Sequence, residues 1–155
     1  IREAADRGVQ VLLFHEGCLT GYPDAERAEQ LDFAAVEAAE SSIQQWAGEL
    51  AIAVKKRGCQ ALILNGGTGI SPRDNTFEVV DGMLDKRLPG FGEIFRYLSY
   101  KEIGSAALMS RATMGTYRGR IMVSLPGSTG AVRLAMDELL LPELSHLVDT
   151  VSPNR

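Results

Sequence analysis

The sequence predicts an α/β fold: a three-layer αβα domain in which helices cover both faces of a mostly parallel sheet. Three observations predict it. Apolar runs of strand length recur along the chain, as strands buried on both faces read. Segments with apolar residues at three- and four-residue steps lie between them, the period of a helix with one buried stripe. Two of the strand-like runs open directly into glycine-rich loops followed by a helix, and open α/β sheets place their ligands at such an edge.

The elements follow in order. Ile1 to Arg7 reads as a short helix stopped by Gly8, and Val9 to Phe14 as a buried strand. Gly17 to Asp32, with Gly17, Gly21 and Pro23, reads as a loop. Val36, Ala39, Ile43, Trp46, Ala47, Leu50 and Val54 place one stripe on a long helix ending near Gly58, with Trp46 in the core by its helical spacing. Gln60 to Leu64 is the next strand. Asn75 and Glu78 have the N-cap and N3 spacing of a capping box, and Val79, Val80, Met83 and Leu84 continue the helix. Pro89 suits the first turn of another helix with Phe91, Ile94, Phe95 and Leu98 on its apolar face. A helical stretch covers Ile103 to Met109; strands Thr113 to Tyr117 and Arg120 to Leu125 follow, joined by a tight turn at Arg118-Gly119. A helix from Ala131 to Leu141 is expected to end at Pro142, with a last turn around Leu144 to Val148.

The 155 residues suffice for one core, and 45% hydrophobic with 23% charged residues argues against disorder. No segment approaches the ~18 consecutive apolar residues of a membrane span, and the charged start lacks the apolar region of a signal peptide. A net charge of −4 gives no broad attraction for nucleic acid. Cys18 and Cys59 form no paired metal-ligand spacing; Cys59, beside an apolar run, reads as a small buried residue, and a reducing cytoplasm suits both.

The chemistry lies in two loops. In Asn65-Gly66-Gly67-Thr68-Gly69-Ile70-Ser71-Pro72-Arg73-Asp74 a strand opens into three glycines ahead of a helix, so backbone N–H groups can converge on an anion. It is neither a Walker A loop, lacking the lysine, nor a dinucleotide fingerprint, lacking the third glycine of that spacing. Asp74 can serve as an N-cap or salt-bridge partner, or hold Mg²⁺ against phosphate oxygens; spacing leaves both open. Leu125-Pro126-Gly127-Ser128-Thr129-Gly130 repeats the logic, with Ser128 and Thr129 able to cap the next helix. Two such loops at one sheet edge would suit a ligand with several phosphates; two ordinary glycine turns are the plain alternative.

Gly66-Gly67-Thr68-Gly69-x-x-Pro72-Arg73-Asp74-x-Thr76, then Pro89-Gly90-Phe91, Ser110-Arg111-Ala112 with Gly115, and Pro126-Gly127-Ser128 resemble, in register, the MoaB/MogA family related to the G domain of gephyrin. The stretch Leu98 to Ala106 looks more like the MoaB branch. The resemblance implies a cytoplasmic homotrimer or homohexamer that takes part in molybdenum cofactor biosynthesis, binds molybdopterin and transfers AMP to it from Mg-ATP. It gives Gly66, Gly67, Thr68 and Gly69 to the ligand loop and Asp74 to Mg²⁺ and transfer. Ser110 and Arg111 fall to the pterin region, and Gly127 and Ser128 to the second loop.

The first third resembles something else. Ala4-Ala5-x-x-Gly8-Val9-x-Val11-Leu12-Leu13-Phe14-His15-Glu16-Gly17-Cys18-Leu19-Thr20-Gly21-Tyr22-Pro23, and more weakly the sequence to Ala51, is similar to the start of a nitrilase-superfamily carbon–nitrogen hydrolase, with Glu16 at the general-base position. Hydrolase chemistry is not expected from it: Cys18 stands in the wrong motif for the nucleophile, and Lys55, Lys56, Lys86 and Lys101 have no matching context. His15 reads as a strand-end histidine and His146 as a structural one. The expectation is therefore one composite domain over 1–155, hydrolase-like over 1–54 and MoaB/MogA-like over 55–155, with the seam between Trp46 and Gly58. The strand and helix that usually begin a MoaB-type chain, and the acidic segment that supplies a second Asp, are not found. An inactive oligomeric scaffold is the competing reading.

Overall fold

The computed structural model describes residues 11–15 and 59–151. Five strands and four α-helices are placed: β1 (Val11–His15), β2 (Ala61–Asn65), α1 (Thr76–Met83), β3 (Lys86–Arg87), α2 (Pro89–Ile103), β4 (Thr113–Tyr117), β5 (Arg120–Leu125), α3 (Thr129–Ala135) and α4 (Leu141–Val151). The expected helices at 1–7 and 36–54, and the loop at 17–32, lie outside the described residues.

The sheet order is β1-β2-β5-β4-β3. β1, β2 and β5 pair in parallel, Val11 opposite Ala61 and Ala61 opposite Ile121. β4 runs antiparallel to β5 and to the short edge strand β3. Among the described strands only β4 therefore runs against the others, so the sheet is mixed yet mostly of one direction, as the fold class anticipates.

Side-chain alternation along β2 and β5 builds the layers. Ala61, Ile63, Ile121, Val123 and Leu125 face α2, α3 and α4, packing with Phe91, Phe95, Leu134, Leu144 and Val148. Leu62, Leu64 and Met122 face the other way, toward α1, against Val80, Leu84 and the buried Cys59. Apolar side chains on both faces explain why these strands read as unbroken hydrophobic runs.

The expected elements hold from Pro89 to Leu125. Pro89 opens α2 in its first turn, where its missing N–H costs nothing. Arg118 (φ 49°) and Gly119 (φ 71°) make the two-residue turn between β4 and β5, both in the left-handed region that a tight hairpin of matching twist demands. Arg118 tolerates it with its N–H donating to the Asp85 carboxylate at 2.6 Å and its guanidinium over the Tyr117 ring. The stretch after α2 winds more tightly than expected, as a 3₁₀ helix over Gly104–Met109.

Two expectations are corrected. The helix near Ala131 does not stop at Pro142: α3 passes into a π turn, Met136–Leu140, in which the Leu141 N–H donates to the Met136 carbonyl. The widened turn lets α4 begin at Leu141 with Pro142 in its first turn, a place proline tolerates. The capping box also fails: Asn75 occupies the N-cap position of α1 with φ −113° and ψ −6° and makes no side-chain cap bond. Glu78 pairs instead with Arg111, because a fixed guanidinium offers its carboxylate a stronger partner than a single amide does.

Candidate functional site: two glycine loops at one sheet edge

Because β2 and β5 are parallel neighbours, with Asn65 opposite Leu125, their following loops leave the sheet side by side. The Gly66 N–H donates to the Leu125 carbonyl at 2.9 Å. A β-carbon on Gly127 would stand 3.1 Å from the Gly66 Cα, so the two loops meet backbone to backbone. Gly66 (φ 99°) and Gly67 (φ 63°) hold the left-handed conformations that turn the chain out of the strand, which residues with a β-carbon rarely adopt.

Beyond that turn, three successive carbonyls of the first loop are held by named donors. The Gly67 carbonyl accepts from the Thr76 N–H at 2.9 Å, the Thr68 carbonyl from Arg111 Nε at 2.8 Å, and the Gly69 carbonyl from Arg111 Nη2. In a trans peptide the C=O and the next N–H point in opposite directions. The N–H groups of Thr68, Gly69 and Ile70 are therefore turned away from Thr76 and Arg111. Consecutive backbone amides whose carbonyls are held in this way are available to an anion. Thr68 itself is buried.

Asp74 closes the far end. Its N–H donates to the Ser71 carbonyl at 2.9 Å and its Oδ2 accepts from the Ser71 N–H at 3.1 Å. The half-buried carboxylate lies directly on Gly69, where a β-carbon would meet Asp74 Oδ2 at 2.5 Å. Asp74 is thus part of the loop itself, and the N-cap of α1 is Asn75.

Arg111 braces the loop. Nη1 donates to Glu78 Oε1 and Nη2 also lies 3.3 Å from Glu78 Oε2, while the guanidinium sits 4.8 Å from the centroid of the Phe77 ring. Ser110, half-buried, precedes it, its N–H donating to the Ala107 carbonyl at 3.0 Å. On the second loop, Gly127 and Ser128 are exposed. Ser128 caps α3, its Oγ accepting from the Ala131 N–H at 3.3 Å.

The structure thus joins Gly66, Gly67, Thr68, Gly69, Asp74 and Gly127 in one edge, with Ser128 beside them and Arg111 bracing from Ser110. Sequence reasoning missed Phe77 and gave Glu78 the wrong partner. Opposite charge was the only signal joining Glu78 to Arg111, and no local spacing expresses it. Among the described residues no cluster of three or more His, Cys, Asp or Glu could hold a metal unaided, and no helix is long and apolar enough to cross a membrane. Lys86 is exposed on β3, and Lys101 lies over the Tyr97 ring on α2; Cys18, Glu16, Lys55 and Lys56 lie outside the described residues. His146 is exposed on α4.

The chain is similar to known proteins in sequence and in fold. The chain is 50% identical over 116 residues to molybdenum cofactor biosynthesis protein B of Halalkalibacterium halodurans, covering 74% of this chain and 66% of that one. It is 55% identical over 96 residues to the protein of the same name from Bacillus subtilis, covering 61% and 56%. The matched stretch thus spans less than two thirds of these relatives. A crystal structure of a molybdenum cofactor biosynthesis protein B superposes with a TM-score of 0.71 at 37% identity, over 92% of this chain and 95% of that one. The model of the family described as "Probable molybdopterin binding domain" matches residues 30–146. That match starts well before the seam expected between Trp46 and Gly58 and runs through residues 30–54 of the segment read as hydrolase-like. The hydrolase resemblance of residues 1–51 gains no support from these matches. With most of its length inside the family match and both glycine loops within it, the chain belongs to the molybdopterin-binding domain family.

Proposed function

We propose that this chain works in molybdenum cofactor biosynthesis, binding molybdopterin across the two glycine loops and transferring AMP to it from ATP. The observation that carries the reading is the backbone contact between Gly66 and Gly127, which makes one edge of two anion-binding loops. A pterin phosphate and a nucleotide triphosphate need such neighbouring sites if one is to attack the other. In the transfer, a phosphate oxygen of molybdopterin bonds to the α-phosphorus of ATP as the bond to pyrophosphate breaks.

The protein's part is positioning and charge neutralisation, which suffice for chemistry at phosphorus. The amides of Thr68, Gly69 and Ile70 receive one phosphate, and the loop of Gly127 and Ser128 receives the other. Ser110 and Arg111 are assigned to the pterin side. Asp74 fits Mg²⁺, since that ion is commonly held by one or two carboxylates together with substrate phosphates, and a lone carboxylate against the ligand loop is what the donor set offers. When bound, the ion would offset the charge of the phosphates.

The name of the two curated relatives supports the same role, and both carry it as molybdenum cofactor biosynthesis protein B. We place the protein in the cytoplasm as one composite domain that assembles as a homotrimer or homohexamer. The support for assembly is apolar surface: Ile94, Tyr97, Tyr100 and Ile103 along α2, then Leu108 (86% exposed) and Met109, are all uncovered. A surface of this kind marks an interaction site.

Pyrophosphate release from Mg-ATP in the presence of molybdopterin tests the reading, with Asp74→Asn as the control. Release that drops by about a hundredfold or more in the control is expected for loss of the carboxylate that would hold the charge-neutralising Mg²⁺. Molybdopterin binding without release would replace the enzyme by a binding scaffold, and no molybdopterin binding would end the proposal.

A further inference from the structure

Arg111 has its Nε and both terminal nitrogens engaged: Nε by the Thr68 carbonyl, Nη2 by the Gly69 carbonyl and Nη1 by Glu78. The Phe77 ring backs the guanidinium plane. Two adjacent residues at the start of α1 thus hold one arginine, and that arginine holds two adjacent peptide units of the loop. A guanidinium is rigid and planar, so a pair on one edge fixes the directions available on the others. Among the described residues, the hydrogen bonds that join the Glu78 side chain to the loop run through Arg111.

We propose that Glu78 is a positioning residue for the ligand loop: with Phe77 it locks Arg111 in the orientation that points the Gly69 and Ile70 amides toward the bound anion. The latch rests on the reading that these amides receive a phosphate of molybdopterin or ATP. Its chemistry separates it from a surface ion pair. Glu78 is 55% exposed at the side chain and Arg111 only 26%, so the pair itself adds little to folding stability. Its effect falls on the geometry of two peptide units, each of which can rotate if its carbonyl is released.

The conservative substitution separates geometry from charge. In Glu78→Gln a side-chain carbonyl can still accept from Arg111, whereas in Glu78→Ala nothing can. In Arg111→Lys the cation remains, but a single ammonium lacks the planar fork that spans both loop carbonyls.

The test uses the whole chain labelled with ¹⁵N. In the free protein, the Gly69 and Ile70 amide resonances are expected to shift in Glu78→Ala and to return most of the way in Glu78→Gln. Titration with molybdopterin is then expected to show about tenfold weaker binding for Glu78→Ala, the scale of a lost charge-assisted hydrogen bond. In an Arg111→Lys background the Glu78→Ala change is expected to add little, because the latch is already open. Should Glu78→Ala fail to fold, the comparison of Glu78→Gln with Arg111→Lys carries the same test. Unmoved amide resonances together with unchanged affinity, or fully additive effects in the double variant, would overturn the latch. If the wild-type chain does not bind molybdopterin while its amides respond to Glu78→Ala, the latch stands and the proposed function falls.

Discussion

Gly66 and Gly127 touch through their backbones at the ends of two parallel strands, with room for no β-carbon at ordinary contact distance between them. The contact exists because β2 and β5 are neighbours running the same way, so the loops that follow them emerge together. One site is made from two stretches of sequence that share no local pattern beyond glycine and a following helix.

Substitution at this contact should separate binding from folding. In Gly127→Ala the new β-carbon would meet the Gly66 Cα at 3.1 Å, and the loops must part by a few tenths of an ångström. Calorimetric titration is expected to show molybdopterin bound several-fold more weakly, while urea unfolding shows a loss of about 1 kcal/mol, the low end for overpacking. Unchanged affinity would mean that the spacing of the loops does not matter to the ligand.

Two other glycines should respond in opposite directions. Gly82, exposed near the end of α1, has open space where a β-carbon would go, so Gly82→Ala is expected to stabilise by about 0.5–1 kcal/mol through helix propensity. Gly115 on β4 faces Lys86, whose carbonyl would lie 2.2 Å from a new β-carbon. Gly115→Ala is expected to cost about 2–3 kcal/mol and to strip β3 from the sheet. Chemical denaturation of both variants checks the pair of signs.

Ser124 offers a test of the core beneath the second loop. It is fully buried on β5, and its hydroxyl has no hydrogen-bond partner among the described residues. Deleting such a group removes a desolvation penalty without opening a large cavity, so Ser124→Ala is expected to be neutral or to stabilise by up to about 1 kcal/mol. A clear loss in thermal unfolding would show that the hydroxyl has a partner.

The uncovered apolar surface predicts self-association. Wild-type protein is expected to sediment as a trimer or hexamer of the 16.8 kDa chain, and Leu108→Asp to shift it toward monomer without loss of fold. A wild-type monomer at micromolar concentration would remove the assembly from the account.

Much of this was legible in the sequence because it is local. The strand runs at 61–64 and 120–125, Pro89 at a helix start and Arg118-Gly119 between two strands each announce an element through propensity or turn chemistry, and the structure has them there. The two loops were legible as loops for the same reason. What the sequence hid is relational. Glu78 satisfies the spacing of a capping box, yet it answers to Arg111 on the far side of β3 and α2. Pro142 looks like a helix stop, yet a π turn upstream converts it to a helix start. The hydrolase likeness of the first third gains no support for a related cause: an apolar strand followed by a glycine loop is common to many α/β proteins, so likeness over Val9 to Pro23 carries little weight.

The most direct measurement of the central claim is amide mapping of the ¹⁵N-labelled chain during addition of molybdopterin. The resonances of Gly67, Gly69 and Gly127 are predicted to move together along one binding curve, because both loops belong to one site. Movement of one loop alone, or of residues far from the edge where Gly66 meets Gly127, would contradict it.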